Sequence, residues 1–342
     1  MERVNLFSDT QTRPTDGMRR AIAGAEGGDE QRFADPTTTR LEERVAELLG
    51  HEAALFLPSG TMCNQIAIRV HTRAGGDELI AAANSHPVNY EAGGPAQFGG
   101  AMVRTIDAPS GVFEPEQLAV AIRPAGDRYA PRSRLVSVEQ TTNLGGGRVW
   151  PLDTVRAVIG MAREHDMRAH LDGARLMNAV VATGTSAADW AGGFDTAWID
   201  FTKGLGAPVG AVLAGSRELI EEAWRYKQMW GGAFRQSGIV AAAGLYALDH
   251  HVERLADDHA NARFLAEGLA ELPGVELDPA AVESNIVILT VADPGGFVDA
   301  LGRAGVQVSR VGPTLIRMVT HLDVDRAGCE RALAAARQAL GS

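Results

Sequence analysis

Six short apolar runs, AALFL at 53–57, ELIAA at 78–82, RLVSVEQ at 134–140, RAHLD at 168–172, TAWIDF at 196–201 and VGAVLAG at 209–215, are separated by longer stretches with helical periodicity. Strand-type runs alternating with helices bury their apolar residues as a sheet covered by helices on both faces. The expected fold is therefore α/β, a three-layer large domain around a mostly parallel sheet. After an alanine-rich helical stretch over about Gln236 to Leu272, the pattern changes to SNIVILTV and LIRMVT with two further helices, GGFVDALGRAG and VDRAGCERALAAARQ. That change predicts a small α+β C-terminal domain. The division is set at 1–245, an N-terminal arm with the large domain, and 246–342. A chain of 342 residues exceeds one typical domain and can bury a substantial core.

In such sheets, chemistry collects where strands end. Only two lysines occur in the chain, and one of them, Lys203, closes the run AWIDF and opens the glycine-rich turn TKGLGAPVG. A lysine amine can form a Schiff base with the aldehyde of pyridoxal phosphate, a task arginine cannot perform. Upstream, Arg168 to Leu171 read as a strand running into Asp172, with Gly173 allowing a tight turn. Aspartate after a strand is commonly a helix N-cap, here for ARLMNAV. A carboxylate at a strand end can also face a pyridine nitrogen, keep it protonated and so improve the ring as an electron sink. The pairing of Asp172 with Lys203 favours the second use. In FLPSGTMCNQIAIRV an apolar run stops at Pro58 and reopens as a helix near Thr61. That turn predicts a phosphate site at Ser59, Gly60 and Thr61, where the positive end of a helix meets two hydroxyls.

The segments SDTQTRPT, DPTTTRLEERVAELLG, EAALFLPSGTMCNQIA, SHPVNYEAGGPA, HLDGARL, TKGLGAPVGAVLAGS, GGAFRQSGIVAAAGLYAL and IRMVTH, in this order, resemble the low-specificity threonine aldolase and β-eliminating lyase family. The resemblance covers nearly the whole chain. It implies the aspartate aminotransferase-like fold, pyridoxal phosphate fold type I. It also implies that Lys203 carries pyridoxal 5′-phosphate, that Asp172 pairs with the ring nitrogen, and that Ser59, Gly60 and Thr61 hold the phosphate. By the same resemblance His86 stacks on the ring, and Ser8, Arg175 and Arg317 bind the substrate carboxylate or cofactor oxygens. Arginine suits that task because its planar fork matches two carboxylate oxygens. Arg235 matches an arginine that reaches a neighbouring subunit's site. The implied activity is cleavage of L-threonine, L-allo-threonine or a related β-hydroxy-α-amino acid to glycine and an aldehyde, with β-elimination or racemisation as the alternative. A homo-oligomer, a dimer of dimers with active sites at subunit interfaces, is implied as well.

Two departures stand out. The family has a histidine in an E-N-T-H-N segment, whereas this chain reads EQTTN, placing Thr142 at the position of a side chain that contacts the substrate's β-hydroxyl. Arg32, in DEQRFADP, stands where the family has a tyrosine.

The net charge of −11, with no basic stripe, argues against a nucleic-acid partner. No apolar stretch approaches the roughly twenty residues of a membrane span, and MERVNLFSDT lacks an apolar signal segment, so the cytoplasm is the expected location. Cys63 and Cys329 offer neither a disulfide framework nor metal-ligand spacing. The histidines of DHHVERLADDHA, His250, His251 and His259, are expected on a solvated helix face. The glycines of GLGAPVG miss the dinucleotide spacing by one residue, and no G-x-S-x-G elbow accompanies Ser59.

Overall fold

A computed structural model describes residues 3–341. Its centre is a seven-stranded sheet formed by β1 (Ala53–Leu57), β2 (Asp77–Ala82), β3 (Met102–Ile106), β4 (Arg132–Glu139), β5 (Arg168–Asp172), β6 (Thr196–Asp200) and β7 (Ala211–Gly215). The spatial order is β1, β7, β6, β5, β4, β2, β3. Pairing is parallel from β6 through β5, β4 and β2 to β3, and antiparallel on both sides of β7. Strands β2, β6 and β7 are buried along their whole length, as expected for a sheet with helices on both faces.

The runs AALFL and RAHLD coincide with β1 and β5. Sequence reading missed β3, MVRTI, an edge strand whose polar and exposed positions carry no continuous apolar signal. It also left open that VGAVLAG runs against its neighbours, a direction set by the short connection from β6. The helix Pro36–Leu49 begins with Asp35 accepting the Thr38 N–H and Pro36 in its first turn, and stops at Gly50 in the left-handed region at φ 70°.

The stretch read as one helix over Gln236–Leu272 is two, Gly238–His250 and Leu255–Ala270. Between them, the His251 ring donates from Nδ1 to the Leu205 carbonyl at 2.7 Å, which draws the chain inward. DHHVERLADDHA is therefore not simply solvated surface, because His251 and Asp258 are buried. Burial pushes the Asp258 carboxyl up to about 6, against the opposing pull of its ion pair with Arg254.

The C-terminal part holds a four-stranded antiparallel sheet that includes β8 (Ile286–Val291) and β9 (Leu315–Val319), with helices Pro294–Arg303 and Arg326–Leu340. Two apolar clusters account for most of the core, and they change over within the helix Leu255–Ala270. Leu255 belongs to the first cluster, while Ala262, Leu265, Ala266 and Leu269 belong to the second. Val4 and Leu6, from the start of the chain, pack into that second cluster. No helix among the described residues is long and apolar enough to cross a membrane.

Candidate active site

Three acidic side chains stand at the carboxyl ends of adjacent strands: Glu139 on β4, Asp172 on β5 and Asp200 on β6. Parallel pairing puts Glu139 directly opposite Asp172. Asp172 is buried, and one of its oxygens accepts the Ala174 N–H at 3.1 Å, as a cap of its own turn would. The other accepts Asn64 Nδ2 at 2.7 Å. Gly173 cannot carry a side chain, because a Cβ there would lie 1.9 Å from the Trp198 carbonyl oxygen.

Lys203 sits in the turn after β6, its side chain 13% exposed, with Nζ 2.5 Å from Asp200 Oδ2 and 5.7 Å from the centre of the Trp198 ring. The Lys203 carbonyl accepts the Thr12 hydroxyl at 2.9 Å and the Gly206 N–H at 2.9 Å, the latter made possible by Gly206 at φ 76°. Asp200 is fixed in turn by the Thr202 N–H at 2.8 Å and hydroxyl at 2.7 Å. The other lysine, Lys227, is fully buried against Glu30 and lies over the Trp224 ring at 4.8 Å. Its amine belongs to the core, so Lys203 is the available nucleophile.

The helix Gly60–His71 starts beside this lysine turn. Ser59 caps it, accepting the Met62 N–H at 3.2 Å while remaining exposed, and Thr61 is half-buried. Gly60 is packed so closely on Trp198 that a Cβ would lie 2.2 Å from the indole. Gly60 and Lys203 thus share the Trp198 ring as a neighbour, and the first-turn N–H groups of this helix with the two hydroxyls are groups suited to an anion.

His86 opens the short helix His86–Asn89, and its N–H donates to Glu139 Oε2 at 2.7 Å. Its Nδ1 pairs with Glu91 Oε1 at 2.9 Å. Burial draws the imidazole down, but the Glu91 hydrogen bond and the charges of Asp172 and Glu91 outweigh it and leave His86 above its ordinary value. Glu139 accepts the Asn143 N–H at 2.5 Å on its other oxygen, and burial, followed by the Asp172 charge, pushes its carboxyl up to about 7.

Arg175 is buried with both forks of its guanidinium on Asp9, Nε and Nη2 each at 2.7 Å. Burial opposes ionisation of Asp9, but the Arg175 charge and hydrogen bonds hold its carboxyl well below the usual carboxylate range. Asn143 Oδ1 accepts from Arg317 Nη1 at 2.7 Å and from Arg175 Nη1 at 3.5 Å, joining the two arginines. Arg317 keeps a buried Nε without a partner among the described residues, so it retains donors for an anion. Ser8 is buried next to Asp9 and accepts the Thr10 N–H at 3.3 Å.

The structure therefore gathers Lys203, Asp172, His86, Arg175, Arg317, Ser8 and the Ser59–Thr61 cradle. Two further expected residues, Thr142 and Arg235, make no hydrogen bond to these groups among the described residues. Thr142 is buried with its hydroxyl accepting the Arg148 N–H at 3.1 Å, and its methyl carbon would lie 2.7 Å from a Cβ on Gly111. Its neighbour Asn143 is the one that reaches the arginines. Arg235 is 65% exposed, paired with Asp29 at 3.7 Å, and among the described residues shares no hydrogen bond with Asp172, Lys203 or Arg175. Arg32 is exposed, 3.8 Å from the same Asp29. Sequence reading missed Asp9, Asn64, Glu91, Glu139, Asn143 and Asp200. The signal for several was present: Asp9, Asn64 and Glu91 lie inside the quoted motifs, and Glu139 and Asp200 end apolar strands, where an acid needs a reason to be.

The β-eliminating lyase family profile matches residues 5–292. Low-specificity L-threonine aldolase 1 of Arabidopsis thaliana is 38% identical over 348 residues, covering 99% of this chain and 97% of the relative. The low specificity L-threonine aldolase of Escherichia coli K12 is 39% identical over 327 residues, covering 94% and 95%. Among solved structures, the threonine aldolase of Leishmania major superposes with a TM-score of 0.83 at 20% identity, covering 98% of both chains, which supports the fold. With a profile spanning most of the chain and relatives matching end to end, the protein belongs to the β-eliminating lyase family, alongside the low-specificity L-threonine aldolases.

Proposed function

We propose that the protein is a pyridoxal phosphate-dependent aldolase that cleaves L-threonine, L-allo-threonine or a related β-hydroxy-α-amino acid to glycine and an aldehyde. The observation that carries this reading is the pair of neighbouring strand ends, Asp172 on β5 and the Lys203 turn after β6, set beside a helix start suited to phosphate. The residues fit the cofactor. Ser59, Gly60 and Thr61 would hold its phosphate, Asp172 its ring nitrogen, His86 one ring face and Lys203 its aldehyde carbon. When bound, pyridoxal phosphate supplies an electron sink for the electrons released at the substrate's α-carbon.

The chain's own groups do the rest. Asp200, hydrogen-bonded to Nζ, accepts the proton that Lys203 must lose to act as a nucleophile. Arg317, with its free donors and Asn143 as a brace, binds the substrate carboxylate, while Arg175, tied to Asp9, fixes the position of Asn143. His86 takes the proton of the β-hydroxyl at Nε2, since Glu91 occupies Nδ1. Lys203 Nζ then delivers a proton to the α-carbon. We further propose a cytoplasmic homo-oligomer, a dimer of dimers in which Arg235 enters a neighbouring copy's site. Its exposure supports this, as does Phe33, 74% exposed in the turn whose Glu30 N–H binds the Arg235 carbonyl.

Incubation of the cofactor-loaded enzyme with L-threonine, L-allo-threonine and L-phenylserine is expected to release glycine with one equivalent of the matching aldehyde. Ammonia with a keto acid, or an epimerised amino acid, in place of glycine would assign elimination or racemisation instead. The base assignment predicts a pH limb. His86 is effective only when neutral, so activity should rise with pH through a midpoint above the ordinary imidazole value of 6.5. Glu91→Gln keeps an acceptor for Nδ1 but removes the charge that helps raise the imidazole, and should move that midpoint to lower pH; an unmoved midpoint would exclude His86 as the base.

A further inference from the structure

Asn64 is fully buried, and its carboxamide makes four hydrogen bonds. Trp198 Nε1 lies 2.8 Å from Oδ1 and can only donate, which fixes the oxygen as acceptor and leaves Nδ2 to donate to Glu91 and Asp172, each at 2.7 Å. His170 Nε2, 3.0 Å from the same oxygen, must then carry a proton. Its Nδ1 is left bare and must accept the Thr196 hydroxyl at 2.8 Å. With that hydroxyl proton committed, His71 Nε2, 2.9 Å from the Thr196 oxygen, must itself be a donor. With neutral imidazoles, the direction of every bond thus follows from one indole N–H. Burial pushes His170 down to about 3 and His71 to about 4, so both imidazoles are neutral at physiological pH, as this arrangement requires.

We propose that His71, Thr196 and His170 are positioning residues for Asp172, a one-way file of hydrogen-bond donors that runs through Asn64 and holds the carboxylate against the cofactor's ring nitrogen. The inference rests on the role given to Asp172 above. Thr196 begins β6 beside His170, and Asp172 ends β5, while His71 and Asn64 share the helix Gly60–His71, so the file runs along one face of the sheet beneath that helix, from the opposite end of the strands to the active site. His71, at its far end, lines a surface cleft of about 980 Å³ together with Arg168 and Asp195. Among the described residues, Asn64 is the one side chain that donates to Asp172; the other donor is the Ala174 N–H. Without His170 as a donor, the Asn64 carboxamide loses one of the two bonds that keep its oxygen turned away from the carboxylates.

Thr196→Val keeps the shape and strand preference of the side chain and removes only the hydroxyl. It is expected to weaken pyridoxal phosphate binding about three- to tenfold, the worth of one hydrogen bond, with Thr196→Ser restoring it. Nitrogen-15 spectra of the wild-type apoprotein should show His71 and His170 as neutral Nε2–H tautomers. Wild-type affinity in Thr196→Val, or an Nδ1–H tautomer at His170, would overturn the proposal. Asp172→Asn serves as the control: full cofactor affinity in that variant would refute the placement of Asp172 itself, whereas weakened binding there beside unchanged Thr196→Val would refute the file alone.

Discussion

Replacing Lys203 by arginine should lower turnover at least about 10³-fold, the upper range for loss of one acid–base group, and remove the visible absorption of the covalently held cofactor. Arginine is the informative substitution because it keeps a positive charge beside Asp200, whose Oδ2 lies 2.5 Å from the lysine amine. Lys203→Ala would leave that buried carboxylate with only the Thr202 donors, and the resulting instability would confuse the reading. Arginine has the cation but no nucleophilic amine. Folded Lys203→Arg protein with wild-type turnover would show that the reaction does not pass through this side chain. Lys227 cannot substitute, since its amine is sealed between Glu30 and the Trp224 and Phe56 rings.

Asp172→Asn is the second large effect. An amide in place of the carboxylate cannot hold a proton on the facing ring nitrogen, and hydrogen bonds to charged groups contribute about 1.5–3 kcal/mol, so cofactor affinity should fall about 10- to 100-fold. Turnover should fall further than affinity, because the electron-withdrawing power of the ring is lost as well. Equilibrium titration of the apoprotein with pyridoxal phosphate separates the two effects. The introduced amide has one acceptor oxygen for two donors, the Ala174 N–H and Asn64 Nδ2, and sets its NH2 against the other, so a thermal melt of Asp172→Asn accompanies the titration to separate lost folding from lost affinity.

The skeleton of this site could be read from the chain because it is local. Asp172 and Lys203 each terminate an apolar run, and Ser59 lies between a strand and a helix, so a short apolar run broken by a polar residue and glycine was enough to mark them. The supporting groups were hidden because their partners are far away in sequence. Asn64 meets Asp172 across 108 positions and Asp9 meets Arg175 across 166. No local pattern distinguishes such an Asn or Asp from a helix-surface or capping residue. Thr142 stands apart from the hydrogen-bonded groups. Position within a motif suggested a substrate contact, whereas its tight packing on Gly111 and its bond to the Arg148 N–H put the neighbouring Asn143 in touch with the arginines. The break after His250 was missed for a similar reason, since alanine-rich periodicity continues through residues that tertiary contacts bend inward at His251.

The two-lysine composition makes one measurement decisive. Wild-type protein loaded with pyridoxal phosphate is reduced with borohydride, digested, and its peptides are mapped by mass spectrometry for the pyridoxyl group. The account predicts one label per chain, on Lys203. A label on Lys227, or a protein that takes up no reducible cofactor, would contradict it.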